Sequence, residues 1–472
     1  MIRAVFQHEL RLLMLRPVGI AAVVTALLAA TYALWTGGQH LQSGVARAAG
    51  YQETVNNSHA RWLETLRQIE GGELAPSPYD ARPINIRLPA ALAPAPLGDF
   101  ARGAYDLHPT TATIGAWSNA VNLFPHYQFD NPGLIQLGRF DFAFVAIVLL
   151  PLLMIALSFD AAASDRASGR LRLLSAQPIR PGRLVLGRLL LRAALLWVCL
   201  VLVALVFLLV NAAPVGFGER LARFGLFAVG LSVYALFWFA LISLCVAYIK
   251  RSEAVIASLI AAWAILTLGI PGIVATTAER LYPQPSRLAY LSEMRQAQGD
   301  AAREAAQLTA GFLVDHPDLT VSDEAVPDYY RGTYLANLEV ERRTGPVLEA
   351  FVDARTQRDR LIGITQYASP AIITSGILNA AAGADIGRHY NFQQQARFAL
   401  RDLSGQVGPA IVARQRMTTG EVEAIPNFGF EDQPVSAMLA ESVMPFAYLF
   451  LLALAGVAVA WRRFDAPLEV FL

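Results

Sequence analysis

Six long apolar blocks alternate with polar segments along this chain. A helix needs about 20 mostly apolar residues to cross the hydrocarbon core of a membrane, and each block approaches or exceeds that length. The pattern predicts a mostly α-helical, polytopic membrane protein with six transmembrane helices. The predicted spans are residues 18–36, 140–159, 189–211, 224–249, 254–276 and 438–461.

Two long polar segments, 37–139 and 277–437, separate these blocks. The first opens with a helical pattern near Ala46–Ile69 and then becomes proline-rich, which favours irregular structure or short strands. Because both segments leave and re-enter at neighbouring spans, we expect them to pack together as one largely helical extracytoplasmic domain. In the second segment, the helices that periodicity and proline or glycine breaks predict are 292–314, 328–362, 370–382 and 387–416.

Residues 1–17 carry apolar and polar faces at helical spacing, which predicts a helix lying in the membrane interface. The alternative is the charged flank of a signal anchor. The first apolar block is longer than the 7–15 residues typical of a signal peptide, and five more blocks follow, so we expect the first span to be retained. The residues assigned to the interfacial helix include Phe6, Glu9, Arg11 and Arg16.

Basic residues are concentrated in the short links on one side of the predicted spans. Those links are residues 1–17, 160–188, the Lys250-Arg251 pair and the tail at 462–472. The short loop on the other side holds two arginines. Since short cytoplasmic links are enriched in arginine and lysine, the distribution predicts that both termini are cytoplasmic.

Composition excludes several functional classes. Only 16% of the residues are charged, against about 25% in soluble domains, and the formal net charge of +1 gives no reason to expect nucleic acid as a partner. Lys250 has no glycine-rich pattern before it, so we expect no phosphate-binding loop in this chain. The seven histidines show no metal-binding spacing, and Cys199 and Cys245 are expected to be buried small side chains. We therefore predict no metal site and no catalytic residue.

Charges and helix breakers inside the blocks give weaker signals. Asp141, Arg192 and Glu441 lie near span ends, where a charged group can reach water, so they are weak candidates for a pathway. Helix breakers also interrupt the fifth and sixth blocks, where they predict either ordinary kinks or a flexible gate. The gate candidates are Gly269, Pro271, Gly272 and Pro445.

The link at 160–188 combines arginines with leucines between helix breaks. Gly169 can end one turn, and Gln177-Pro178 stops the short helix that the intervening residues predict. A positive cytoplasmic loop explains the arginines but not the leucines. Exposed apolar side chains on a short cytosolic helix predict contact with a protein groove or with the lipid interface.

This link resembles the first cytoplasmic loop of type-2 ABC transporter permeases. The pattern Asp-Arg-x-x-Gly-x-Leu-Arg-Leu-Leu-x-x-x-Pro-Ile begins at Asp165, and Leu-x-Leu-Gly-Arg ends at Arg188. The family has glutamate where Asp165 stands and lysine where Arg188 stands, so both positions keep the sign of their charge. His-Glu-Leu-Arg from His8 also fits the entry helix of this family. The stretches at 130–132, 138–141 and 283–287 are similar to a subgroup with two large extracytoplasmic segments, the second a domain of unknown function.

The resemblance implies a permease in the bacterial cytoplasmic membrane that works as a dimer of two copies or of two paralogues. A separate ATPase subunit would bind ATP and Mg²⁺ and dock on a coupling helix near 168–177, while this chain would hold no cofactor. Other partners would be membrane lipid and not nucleic acid. The residues that the resemblance assigns to ATPase docking are Asp165, Arg166, Gly169, Arg170, Leu171, Arg172, Leu173, Leu174 and Gln177.

Three functions are compatible with these patterns. The first is an ABC exporter permease of unknown substrate, which a continuous polar cavity in the dimer would favour. The second is a mechanotransmitter that moves its extracytoplasmic domain without transport, which tightly packed spans with a mobile domain would favour. The third is a membrane-anchored sensor or enzyme, which a cleft with converging titratable groups would favour.

Overall fold

The computed structural model describes residues 9, 17–75, 83–103, 108–119, 123–124, 140–161, 181–211, 216–283, 287–315, 317 and 327–465. Helices dominate this part of the chain, and a single two-stranded sheet accompanies them. The helices are α1 Pro17–Glu70, α2 Phe142–Ser158, α3 Pro181–Val210, α4 Phe217–Tyr248, α5 Ser252–Leu281, α6 Arg287–Asp315, α7 Asp328–Thr365, α8 Pro370–Ala382, α9 Ile386–Val412, α10 Thr419–Glu423 and α11 Val435–Phe464. The strands are β1 Arg87–Ala91 and β2 Thr111–Gly115.

Five helices in the described residues are long and apolar enough to cross a membrane: α1, α3, α4, α5 and α11. They account for five of the six predicted spans, to within one residue at the ends of α3 and α4, so the mostly α-helical, polytopic fold is confirmed. The block at 140–159 forms the shorter helix α2, about 25 Å long at 1.5 Å per residue. A sixth span at α2 stays a prediction.

Helix α1 differs from the expectation of two separate helices. It runs unbroken for 54 residues, roughly 80 Å, whereas the sequence predicted a span ending at residue 36 and a second helix starting near residue 46. Gly37 and Gly38 lie inside it without stopping it. A Cβ at Gly37 would lie 2.1 Å from the Asp99 carbonyl oxygen, so this glycine allows close contact with the backbone of Asp99.

The first hydrophobic core lies within the bundle of apolar helices. Helix α4 is at its centre and packs against α3, α8 and α11. Its largest side chains, among them Phe227, Tyr234 and Trp238, are almost fully buried. Between Gly230 and Ala247 none of its residues is exposed, which explains why this stretch is apolar on nearly all sides.

A second core lies beyond one end of the bundle and joins residues of both long polar segments. Strands β1 and β2 pair antiparallel, with Arg87 opposite Gly115, and pack against the far half of α1 and against α9. Leu66 of α1, Ile114 of β2 and Phe392 of α9 are buried together there. We refer to this second core, with α6, α7, α9, α10 and the strands, as the sheet domain.

Helix α8 has the bounds that the sequence predicted, but it packs in the bundle. Ile373, Ile377 and Leu378 belong to the first core, beside α4 and α11. Gly230 of α4 makes room for them, because a Cβ there would lie 3.2 Å from side-chain atoms of Ile377 and Leu378. Expecting this helix to pack outside the bundle was wrong, because its apolar surface is buried by spans.

Helices α7 and α8 form a hairpin whose tip lies beside the middle of the bundle. Arg358 of α7 donates to the Tyr282 carbonyl at 2.7 Å, where α5 has just ended. Helix α7 then continues for about two more turns, and residues Gln366–Ala368 form a 3₁₀ turn. At the tip, the Tyr367 ring lies 5.1 Å from Tyr448, which is near the middle of α11. We call residues 358–383 the α7–α8 hairpin.

Candidate functional site: an ion-pair cluster beside residues 162–180

All nine residues predicted to dock an ATPase lie outside the described part of the chain. These are Asp165, Arg166, Gly169, Arg170, Leu171, Arg172, Leu173, Leu174 and Gln177, all within 162–180. Of the interfacial helix, Phe6, Arg11 and Arg16 also lie outside it, and only Glu9 is described. The structure does describe the helices on either side of 162–180, α2 and α3.

Arg192 of α3 is the centre of a buried ion-pair cluster next to this segment. Its guanidinium donates to Glu9 Oε1 at 2.9 Å, to the Leu157 carbonyl at 2.5 Å and to Asp160 Oδ1 at 3.3 Å. One turn earlier on α3, Arg188 Nε lies 3.7 Å from the same Glu9 oxygen. We call Glu9, Asp160, Arg188 and Arg192 the Glu9–Arg192 cluster.

The cluster corrects the expectation that Arg192 extends to water at the end of its span. Arg192 and Glu9 are only 6% and 2% exposed. A charge of this kind is tolerated in a low-dielectric site when it is paired and hydrogen-bonded. Spacing of four residues places Arg188 and Arg192 on one face of α3, so both guanidinium groups reach the same carboxylate. The cluster therefore joins residue 9, the end of α2 and α3.

A second set of contacts joins the start of α3 to the end of α11. Arg183 donates to Asp465 at 2.9 Å and lies over the Trp461 ring at 5.5 Å. A Cβ at Gly182 would lie 2.0 Å from the Phe464 carbonyl oxygen, so the two backbones are in close contact. Both ends of segment 162–180 are therefore bound to the bundle, at Asp160 on one side and Gly182 on the other.

The proposed gate residues do not interrupt their helices. Helix α5 continues through Gly269, Pro271 and Gly272, with a π-helical stretch at Ala264–Gly269 just before the proline. Pro445 lies buried inside α11, which also continues. Proline lacks the N–H that a helix uses, and at Pro271 it is accommodated in the first turn after the π-helical stretch. Neither helix is broken at these positions, and the choice between an ordinary kink and a flexible gate stays a prediction.

Two π-helical stretches, Val145–Leu149 of α2 and Ala264–Gly269 of α5, face neighbouring side chains. A π-helical turn leaves backbone carbonyls without their usual helical partner, and such turns are frequent at functional sites. Here side chains from other elements donate to those carbonyls: Tyr234 to Ile147 at 2.8 Å, Trp263 to Val148 at 3.2 Å and Ser369 to Leu266 at 2.5 Å. The last bond joins the tip of the α7–α8 hairpin to the middle of α5.

Buried charges also join the other end of the bundle to the sheet domain. Arg220 of α4 donates to the Pro96 carbonyl at 3.1 Å and lies 3.5 Å from Asp99. Burial raises the pKa of the Asp99 carboxyl, while Arg220 and Asn211 act to lower it. The segment that precedes β2 is thereby held against the ends of α3 and α4.

Asp432 makes a third connection between the two cores. It lies 2.8 Å from Arg388 of α9 and 3.6 Å from Arg223 of α4, and both guanidinium groups are almost fully buried. The Arg388 guanidinium also donates to the Ala93 carbonyl at 2.9 Å. A single carboxylate thus joins a bundle helix to a sheet-domain helix.

Sequence reasoning missed Asp99, Arg220, Arg223 and Asp432 as paired residues. Arg220 and Arg223 were counted only as charges of a short loop. Their spacing of three residues, directly before an apolar block, places both on one helical face and could have indicated burial. Nothing in the sequence indicated which carboxylates pair with them.

The other span-end charges have structural roles. Asp141 caps α2 by accepting from the Phe144 N–H at 2.8 Å and also accepts from the Arg102 N–H. Glu441 is exposed and accepts from Gln433 at 3.0 Å. The described residues hold no group of three or more His, Cys, Asp or Glu side chains able to bind a metal. His108 and His389 do lie near each other, and burial lowers the pKa of His389 to about 3.

Comparison with known proteins gives one match. Residues 287–431 match a domain of unknown function (DUF3526). The match covers about a third of the chain and includes α7, the α7–α8 hairpin and α9. No curated protein and no solved structure matches the chain.

Proposed function

We propose that this chain is the membrane-spanning permease subunit of an ABC transporter, which couples ATP hydrolysis by a separate ATPase subunit to export of a substrate. Residues 162–180 contact the ATPase in the cytoplasm. ATP and Mg²⁺ bind to that partner, and this chain supplies no catalytic residue. The loop pattern that begins at Asp165 and the lack of a phosphate-binding loop in the sequence support this assignment.

The observation that carries the proposal is the attachment of segment 162–180 at both ends. A segment that transmits force from a partner must be held by the spans it moves. Asp160 pairs with Arg192 just before the segment, and Arg183 pairs with Asp465 just after it. A displacement of 162–180 would therefore reach α2, α3 and α11 together.

The proposed location is the cytoplasmic membrane of a bacterium, with both termini and segment 162–180 in the cytoplasm and the sheet domain outside. The distribution of arginine in the short links supports this orientation. Apolar side chains exposed on α1, α3, α5 and α11 provide surface for lipid and for a second copy or paralogue of the chain. A dimer of such subunits would give two ATPase contacts.

A mechanotransmitter that moves the sheet domain without transport is the second candidate, and one observation favours it. The α7–α8 hairpin connects the sheet domain to the middle of α5 through Ser369 and Leu266. Any rearrangement of α5 would reach the sheet domain directly. In this candidate the same ATPase contact drives the movement.

The ATPase contact is tested by purifying the tagged full-length chain from membranes of its own host. The wild-type chain should retain a nucleotide-binding subunit that hydrolyses ATP. The double variant Leu171→Asp with Leu174→Asp should lose that subunit, because two charges would replace the apolar surface offered to a groove.

A matched control places the same charges elsewhere. Leu74→Asp with Leu338→Asp alters two exposed leucines of the sheet domain and should leave the ATPase bound. Equal retention of the ATPase by both double variants would contradict the proposed contact.

A further inference from the structure

A wide cleft lies in the sheet domain, between α7, α9 and the chain that follows α10. Its volume is about 960 Å³. Along α9 its lining extends from Asn391 to Gln406, a distance of roughly 22 Å at 1.5 Å per residue. The cleft is therefore an elongated groove, long enough for six or seven residues of extended chain at about 3.3 Å each.

One wall of the groove is a stretch that has strand-like exposure but is in no sheet. From Asn427 to Asp432, exposed side chains alternate with half-buried ones, which is the periodicity of a strand. Phe428 and Phe430 are the inward side chains, and their rings lie 6.0 and 5.9 Å from the Phe392 ring. None of these residues has a left-handed φ.

This stretch is held in place at its ends. Ile425 is buried in the second core. At the other end, the Gln395 amide donates to the Glu431 carbonyl at 2.8 Å and accepts from the Glu431 N–H at 3.0 Å. Between these points, no backbone group of residues 427–430 hydrogen-bonds to another described residue. The stretch is thus a fixed strand edge whose N–H and C=O groups are available to a second strand.

The chemistry of the groove selects among ligands. Amide side chains can pair with a peptide backbone of any sequence because each has both donors and an acceptor. Four carboxylates against two guanidinium groups favour a positively charged ligand. The amides left for a ligand are Gln394 and Asn427, because Asn391 and Gln395 bond to each other and Gln406 bonds to Asp402. The carboxylates are Glu349, Asp353, Asp402 and Glu431, and the guanidinium groups are Arg397 and Arg401.

We infer that this groove binds an extended, basic stretch of a partner polypeptide, which adds as a strand to residues 427–430. Main-chain hydrogen bonds to the strand edge supply affinity, as in other cases of strand addition. The carboxylates on α7 and α9 select for lysine or arginine side chains. This inference goes beyond the proposed function, because it concerns the sheet domain and holds whether or not an ATPase binds at 162–180.

The test uses the full chain in nanodiscs of zwitterionic lipid and a labelled, end-capped octapeptide of alternating lysine and threonine. Fluorescence anisotropy, corrected with empty nanodiscs, should show saturable binding. The same peptide, N-methylated at every second residue, keeps its charge but loses half of its backbone N–H donors. Because these donors would pair with the strand edge, the methylated peptide should bind at least about tenfold more weakly. A glutamate–threonine octapeptide should bind more weakly by a similar factor.

Variants of the chain separate the groove from the rest of its surface. Glu349→Gln with Asp353→Asn should weaken binding of the lysine–threonine peptide by about three- to tenfold. Glu53→Gln with Glu293→Gln, two exposed carboxylates outside the groove, should leave binding unchanged. The inference would be overturned if the methylated peptide bound as tightly as the unmethylated one, or if neither peptide showed saturable binding. It would also be overturned if the groove variant lost self-association. The last result would make a second copy of the chain the occupant.

Discussion

Buried arginines connect the elements at both ends of the bundle. Arg192 and Arg220 each bind carboxylates and backbone carbonyls while almost wholly removed from solvent. Guanidinium suits such sites because it stays charged and offers five donors in fixed directions. The sequence places arginines in and just after the link at 160–188, but partners such as Glu9 and Asp160 could not be predicted, because they are distant in the chain.

Replacing Arg192 with methionine should destabilise the protein strongly. The change leaves the Glu9 carboxylate buried with only Arg188 nearby, and breaking a buried pair in this way costs about 3–5 kcal/mol. Thermal unfolding in detergent should show a clearly lower midpoint, and segment 162–180 should be cut more rapidly by added protease.

Two further variants show whether charge pairing is the cause. In Arg192→Met with Glu9→Gln, neutralising the isolated carboxylate should recover part of the lost stability. Arg183→Met removes an arginine that is half exposed and pairs only at the surface, so its effect should be below about 1 kcal/mol. Similar losses in Arg183→Met and Arg192→Met would contradict the assigned role of the buried cluster.

At the scale of elements, helix bounds were easier to predict than helix positions. Helix α8 begins at Pro370 and ends before Gly383, whose φ of 72° is the left-handed conformation that favours glycine. These local signals fixed its bounds. The predicted position of α8 was wrong because a short apolar helix suits a domain core as well as the interior of a bundle. Periodicity does not distinguish these two locations.

The position of the α7–α8 hairpin can be tested by cross-linking. In a chain with Cys199 and Cys245 replaced by alanine, Gly230→Cys with Ile377→Cys should form a disulfide in native membranes. The expected reason is distance, since a Cβ at Gly230 lies 3.2 Å from the Ile377 Cγ2 atom. A protease site inserted within 318–326 would report the bond, because linked fragments stay together until reduced.

A matched pair defines the background of that experiment. A Cβ at Gly218 meets no atom within 4 Å, and it lies roughly 18 Å along α4 from Gly230. Gly218→Cys with Ile377→Cys should therefore give separate fragments. Separate fragments from the Gly230 pair as well would place α8 outside the bundle.

At the scale of the whole molecule, three buried contacts hold the segments that connect the two hydrophobic cores. The described contacts are Asp99 with Arg220, Asp432 with Arg223 and Arg388, and Ser369 with Leu266. Alternating apolar and polar segments predicted the helical bundle. The strand pairing and the path of the hairpin depend on contacts between distant residues, so the sequence pattern did not contain them.

The proposed orientation predicts a labelling pattern for two single cysteines in the cysteine-free chain. Ser58→Cys lies on the exposed far half of α1 and should react with an impermeant maleimide in intact spheroplasts. Ser168→Cys should react only in inverted vesicles. Detergent-solubilised protein, in which both sites should react, is the control, and the reverse pattern would place the sheet domain in the cytoplasm.

Site-specific photo-cross-linking gives the sharpest test of the proposed contact between segment 162–180 and an ATPase. A benzoylphenylalanine residue replaces Leu171 in the full chain within its own membranes, and Leu74 carries the same group as a control. After irradiation, we expect a cross-link from position 171, and none from position 74, to a separate chain that contains a phosphate-binding loop. Cross-links from position 171 to lipid alone, or to no nucleotide-binding chain, would contradict it.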